Sequence, residues 1–215
     1  MGPTLRNMLL AGGLLFGFAL IGSAVLSLTY EGTRQRVAEN QRQALVQSLN
    51  QLVPPNRYDN SLLTDVIRLQ ASEFGTDQPV TVYRARHDGR PVAILAEVIA
   101  QSGYSGPIKL LVAVNADGRL AGVRVIEHRE TPGLGDRIEI ERSDWILSFD
   151  GHGVGDPPSA GWAVKKDGGD FDQFTGATIS PRAVVKAIHN FLIYFERNRE
   201  RLFSGPTDSA TEQTT

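Results

Sequence analysis

The feature that most constrains this chain is a run of 24 residues without one charge, Asn7 to Tyr30, bounded by Arg6 and Glu31. At about 1.5 Å rise per residue, a helix of that length exceeds the roughly 30 Å hydrocarbon thickness of a bilayer and can span it with some tilt. A cleaved secretory signal has an apolar core of about 7–15 residues. This run is longer and lacks a clear small-x-small cleavage site. A single retained transmembrane anchor over residues 7–30, after a short segment 1–6, is therefore expected. Arg6 is the only basic side chain before the run, whereas Arg34, Arg36 and Arg42 come after it. Counted literally, that bias leaves the rest of the chain in the cytoplasm, although long domains translocate despite such charges. Gly13-x-x-x-Gly17 puts two small residues on one helix face, where a partner helix can approach closely.

The 215-residue chain has room for one domain of ordinary size plus appendages, or for two small ones. Apolar residues make up 41% and charged ones 21%, the balance of a folded globule. Lys plus Arg number 22 against 24 Asp plus Glu, which shows no basic excess of the kind nucleic-acid binders carry. With no cysteine, disulfides, thiolate zinc sites, thiolate-held iron–sulfur clusters and cysteine nucleophiles are excluded.

Thr33 to Leu52 reads as a helix with Thr33 as N-cap and Val37, Leu45, Leu49 and Leu52 near one face, ended by Pro54-Pro55. Asp59 to Gln70 reads as a short helix with Leu62, Leu63, Val66 and Leu69 on its apolar side. The period then changes to two. Val80–Arg86 alternates, Asp88-Gly89 turns, and Pro91–Ala100 is an apolar β-rich run. Ile108–Asn115 and Leu120–Glu127 repeat that arrangement around Asp117-Gly118. Gly161–Lys166 reads as a shorter strand, and the last helix spans Pro181 to about Arg201 with Val184, Val185, Ile188, Leu192 and Phe195 as its buried stripe. Asp-Gly between extended runs favours tight hairpins. The fold expected is α+β, an antiparallel sheet flanked by helices over residues 31–203, with a disordered tail at 204–215.

Catalytic constellations are scarce. His87, His128, His152 and His189 show no pair at metal-ligand spacing, Ser105 lacks a GxSxG elbow, and no Gly-Lys-Ser/Thr phosphate loop exists. No metal site and no catalytic residue is assigned. The segment Asp172 to Pro181 differs. Ser180-Pro181 fits an N-cap and first helical position, so Thr175, Gly176, Ala177 and Thr178 lie just before a helix N-terminus. Free N–H groups and partial positive charge there suit a phosphate, small residues let backbone approach it, and Arg182 and Lys186 can add charge. Read this way it is an anion site flanked by hydroxyls, or an ordinary capped helix.

Thr175-Gly176-Ala177-Thr178-Ile179-Ser180 resembles the [ST]-G-A-T-x-[ST] flavinylation motif of the FMN-binding domain. That domain is shared by the G subunit of the Rnf ion-translocating electron-transport complex and the C subunit of the sodium-pumping NADH:quinone reductase. Gly103-Tyr104-Ser105-Gly106-Pro107-Ile108, Glu130-Thr131-Pro132-Gly133-Leu134-Gly135 and Asp170-Phe171-Asp172 are similar to that family in the same order. With the anchor, the resemblance covers the chain to about residue 203, and the compact length is more like the Rnf protein.

The resemblance implies FMN joined through its phosphate to Thr178, attached by a dedicated flavin transferase with FAD as donor. It implies a single-pass protein of the inner membrane with its C-terminal domain in the periplasm, against the basic-residue count. It implies other membrane subunits as partners, in a complex coupling ferredoxin–NAD electron exchange to ion movement. In that reading Thr178 is a tether, Ser180 caps the helix beneath it, and Leu134 and Thr131 offer apolar and hydrogen-bonding contacts to the ring. Trp162 and Lys165 approach ring or phosphate from the 161–166 strand, where plain core packing is the alternative for Trp162. The chain has no GxGxxG fingerprint of its own and ligates no cluster, so it carries electrons rather than reacting with either substrate. The rival readings are an anchored non-redox anion-binding module and an anchored scaffolding subunit.

Overall fold

The computed structural model describes residues 2–204, so the tail expected from 204 onward lies outside the described residues beyond Ser204. The chain divides into two units, Met1–Leu45 and Val46–Thr215. Helix α1, Pro3–Leu52, is continuous. The separate helix expected from Thr33, with its own N-cap, is therefore corrected. No proline lies between residues 3 and 54, and a lone Gly32 costs a helix only about 1 kcal/mol. In the first unit Leu14, Leu15, Phe16, Phe18 and Ile21 are each more than 60% exposed. A helix apolar all round wants an apolar surrounding. Val37, expected on a buried face, is half exposed. Among the described residues no helix is long and apolar enough to cross a membrane, and several side chains of the 7–30 run lie outside those residues.

The second unit is built on a five-stranded antiparallel meander in the order β1-β2-β3-β4-β5. Its strands are β1 Val66–Leu69, β2 Val80–His87, β3 Arg90–Ala100, β4 Ile108–Asn115 and β5 Leu120–Glu127. Asp88 (φ 49°) and Gly89 (φ 72°) make the two-residue turn between β2 and β3, as positive φ at both central positions requires. The expected helix over Asp59–Gln70 is corrected to a turn followed by β1. Leu62, Leu63, Val66 and Leu69 do recur at helical spacing, but Val66–Leu69 pairs with the edge of β2 (Val66↔Tyr83, Leu69↔Val80). Ladder bonds and burial there outweigh local preference.

Helix α2, Ile179–Ser204, covers one face of the sheet. Its Val184, Ile188, Phe191, Leu192 and Phe195 share a core with Val82, Ile94, Leu110, Val112 and Val114. The opposite face is buried too: Tyr83, Leu95, Leu111 and Ala113 are at most 9% exposed. Leu52 lies against it, 2.8 Å from where a Cβ on Gly122 would stand. Burial on both faces explains why β3 and β4 read as near-continuous apolar runs rather than alternating ones.

The strand expected over Gly161–Lys166 is also corrected. Residues Ser159–Gly161 and Lys165–Asp167 are short 3-10 turns, and only Val164 bridges to Phe171. The segment doubles back so tightly that a Cβ on Gly169 would lie 2.1 Å from the Ala163 carbonyl oxygen. That return buries Trp162, Val164 and Phe171.

One charged cluster is structural. Arg84 is 1% exposed and donates through Nε to Asp65 Oδ1 at 2.7 Å, while Arg86 Nε donates to Asp65 Oδ2 at 2.8 Å. Arg86 Nη2 also donates to the carbonyl of Phe203, at the end of α2 where cations are favoured. Asp65→Ala removes the carboxylate from a buried guanidinium and is expected to cost about 3–5 kcal/mol. Breaking the exposed Lys109–Glu127 pair (3.2 Å) with Lys109→Ala is expected to cost under about 1 kcal/mol. Urea unfolding of the two variants beside the unsubstituted chain checks the contrast.

Candidate functional site

Two glycine turns face one another at the start of α2. In Phe174–Ala177 the Ala177 N–H donates to the Phe174 carbonyl at 3.1 Å, with Gly176 at φ 83° in third place. In Thr131–Leu134 the Leu134 N–H donates to the Thr131 carbonyl at 3.1 Å, with Pro132 second and Gly133 at φ 79° third. Both have the type II pattern, in which the third residue needs positive φ and is therefore glycine. A Cβ on Gly176 would stand 3.5 Å from Leu134 Cδ2, so the turns approach each other across a narrow gap.

The residue after the first turn is Thr178. Its carbonyl accepts from the Arg182 N–H at 3.4 Å, the first bond of α2, so Thr178 occupies the N-cap. The expected N-cap, Ser180, is corrected to a place inside the first turn of the helix. There its hydroxyl has another use. It donates to Oε2 of Glu130, which is 4% exposed. Oε1 of Glu130 accepts from the Ser105 N–H at 2.9 Å, and Oε2 from the Tyr104 N–H at 3.3 Å. Two glycines make room for this carboxylate. A Cβ on Gly103 would lie 3.0 Å from Oε1, and one on Gly135 would lie 2.9 Å from the Ser180 hydroxyl and 3.0 Å from Oε2.

The Glu130 backbone is fixed as well. Its N–H donates to His128 Nδ1 at 2.9 Å, and His128 Nε2 lies 2.8 Å from Glu139 Oε1. With Nδ1 accepting, the ring proton is assigned to Nε2, which donates to Glu139.

These segments enclose a cavity of about 350 Å³. Thr131, Leu134, Gly176, Ala177, Thr178 and Ser180, all singled out in the sequence, line it. So do Tyr104, Glu130, Gly135 and Ile179, which were not. The signal for Tyr104 and Glu130 was their place in the two motifs that carry the family resemblance. Tyr104, Leu134 and Ile179 supply apolar walls and are 68%, 44% and 40% exposed.

Four expected residues stand apart. Thr175 is exposed and does not line the cavity. Lys165 pairs with Asp172 at 2.7 Å. Trp162 is 5% exposed and stacks on His189, with ring centroids 5.2 Å apart and planes 3° from parallel. Arg182, a candidate phosphate ligand, holds Asp167 in a two-pronged pair at 2.5 and 2.9 Å. That contact keeps the exposed Asp167 carboxyl below its ordinary range. Elsewhere, exposed Asp59, His87 and Asp88 bring ligand atoms within 4.8 Å of one another, the one such group among the described residues.

The FMN-binding domain family matches residues 103–193, and the RnfG N-terminal region matches residues 1–52. The chain is 50% identical over 212 residues to the G subunit of the ion-translocating oxidoreductase complex of Pseudomonas aeruginosa, covering 98% of this chain and 99% of the relative. The chain belongs to the family of G subunits of ion-translocating oxidoreductase complexes. Family members of the same name in Shewanella amazonensis (46% identical, 94% of each chain) and Pseudoalteromonas atlantica (42%, 97% of this chain and 98% of the relative) agree over nearly full length.

The residues at the cavity suit the family's FMN. A helix N-terminus meets an anionic phosphate, a hydroxyl stands at its N-cap, and apolar walls face a planar ring system. Glycine stands at 103 and 135, where a Cβ would intrude on the Glu130 carboxylate or the Ser180 hydroxyl.

Behind the site, burial pushes the His189 imidazole below its ordinary value. Its Nε2 and the Trp162 Nε1 are buried without a hydrogen-bond partner among the described residues. The folded chain thus binds a proton at His189 less readily than the unfolded chain, whose histidine titrates near about 6.5. The stabilising contribution is full above that pH and is lost as pH falls below it, where the unfolded state binds more protons. His189→Phe is expected to flatten this acid limb, as read from melting temperatures between about pH 5 and 8.

Proposed function

We propose that this chain is a membrane-anchored flavoprotein subunit that holds FMN through a phosphoester to the Thr178 hydroxyl and passes electrons between other redox subunits. As a member of its family it is an FMN-carrying subunit of an ion-translocating oxidoreductase complex. The observation that carries the covalent reading is the place of Thr178: half-buried, at the N-cap of α2, on the wall of the cavity that the family motifs enclose.

That position serves a tether. The helix N-terminus stabilises the negative charge a phosphodiester keeps after attachment. Attachment through phosphate leaves the ring chemically unaltered and prevents loss by dissociation. Bound FMN supplies reversible electron carriage, and the protein supplies placement and electrostatics. A flavin transferase joins the Thr178 oxygen to the FMN phosphorus of FAD; the hydroxyl proton is released and AMP leaves. Leu134, Ile179 and Tyr104 hold the apolar part, and Thr131 offers a polar contact.

Residues 7–30 form the single membrane span in this reading, supported by the uncharged run and the apolar side chains exposed on α1. The domain lies in the periplasm, where the other membrane subunits of the complex meet it.

Co-expressed with its flavin transferase, the native chain is expected to fluoresce in a denaturing gel and to gain the mass of FMN less water. Thr178→Ala is expected to lose both signals. A bare native chain, with the transferase active on a control protein, would leave only a reversible anion site. Protease added outside intact spheroplasts is expected to digest the domain over 31–203 and leave a membrane-bound fragment. Protection of the domain would place it in the cytoplasm, as the basic-residue count has it.

A further inference from the structure

We propose that the buried Glu130 carboxylate lowers the reduction potential of the flavin held in this cavity, acting as a positioning residue whose charge is part of the site. The proposal rests on the FMN reading. Three observations carry it. Glu130 lines the cavity that Thr178 and Leu134 also line, while only 4% of its surface is exposed. Every contact it makes is to a donor: the Tyr104 and Ser105 N–H groups and the Ser180 hydroxyl. The site is thus built around the ionised form, which accepts only. Among the described residues, moreover, Glu130 forms no ion pair. Arg142 is paired with Asp136 and Glu139, and Arg182 with Asp167.

A carboxylate satisfied by dipoles alone keeps its full charge, and in a poorly solvated place its field is weakly screened. Electrons added to a ring in the same cavity work against that field, so the oxidised form is favoured. An exposed carboxylate would have no such reach, because water and salt would screen it. The Ser180 hydroxyl and the two N–H groups donate to the Glu130 carboxylate in the place that water would take on an exposed one.

The experiment is spectroelectrochemical titration of the full-length, flavin-loaded chain in detergent, comparing Glu130→Gln, Glu130→Asp and Asp88→Asn with the unsubstituted protein. Asp88 lies in the β2–β3 turn, outside the site, and controls for net charge. Glu130→Gln is expected to favour reduction at least tenfold, a positive shift of about 30 mV for a two-electron couple. Glu130→Asp, which keeps the charge, and Asp88→Asn are expected to stay within a few-fold of the unsubstituted equilibrium. An unshifted Glu130→Gln overturns the proposal. So do equal shifts in the Gln and Asp variants, which would trace the effect to lost geometry. If Glu130→Gln does not yield a folded, loaded protein, Glu130→Asp decides: an unchanged potential supports the charge, and a tenfold shift overturns it. An unsubstituted chain that takes up no flavin overturns the FMN reading and this proposal together, and is told apart by its bare mass.

Discussion

Glu130 accepts hydrogen bonds from the backbone at Tyr104 and Ser105 and from the Ser180 hydroxyl, so one side chain ties together segments up to 50 residues away from it on one side and 26 on the other. Each loop has little regular structure of its own. The segment at Tyr104-Ser105, the residue before the 131–134 turn and the first turn of α2 are joined through this shared acceptor. Removing such a buried acceptor would strand three donors, each with a desolvation penalty of about 1–3 kcal/mol. The glycines around it follow from the same contact. Gly103 and Gly135 stand where any side chain would strike the carboxylate or its partner hydroxyl.

The rest of the second unit supplies a frame against which that contact can be held. The meander is buried on both faces, by α2 on one and with Leu52 on the other. Close packing of this kind resists small displacements, because shifting one layer opens gaps in two. The cavity therefore lies among loops at the start of α2 rather than on the sheet. Trp145 joins frame to site directly, its Nε1 donating to the Asp172 carbonyl at 2.8 Å while its ring meets Phe174 and Phe149 edge-on.

How much was legible in the sequence depended on whether a local rule and the tertiary contacts agreed. They agree at Asp88-Gly89, where glycine tolerance of positive φ and alternating strands both specify a hairpin, and along Val184 to Phe195, where the helical stripe is the buried stripe. They conflict over Leu62 to Leu69. The spacing suits a helix, yet the free edge of β2 recruits Val66–Leu69 as a strand. At Ser180 the residue type favours an N-cap, but the glutamate 50 positions earlier claims the hydroxyl and the helix begins at Ile179. Thr178, Leu134 and Thr131, expected from the motifs, lie on the cavity wall. Trp162 and Lys165 were misplaced with the strand thought to carry them. Glu130 stood in a recognised motif, but its role was not legible there, since its partners are distant and two of them are backbone groups.

Helix α2 is gripped at both ends. Glu130 holds its first turn through Ser180, and Arg86 holds its last through the Phe203 carbonyl, with Asp65 anchoring that arginine to the sheet. A rod pinned at two points cannot slide or swivel without releasing one of them. Thr178, at its tip, is thus a fixed mooring rather than a swinging arm. Under the proposed linkage, an FMN joined there has a range of motion set by its own rotatable bonds. Since electron transfer weakens steeply with separation, a partner must come to the mooring, and the geometry of the encounter is decided by how the subunits dock.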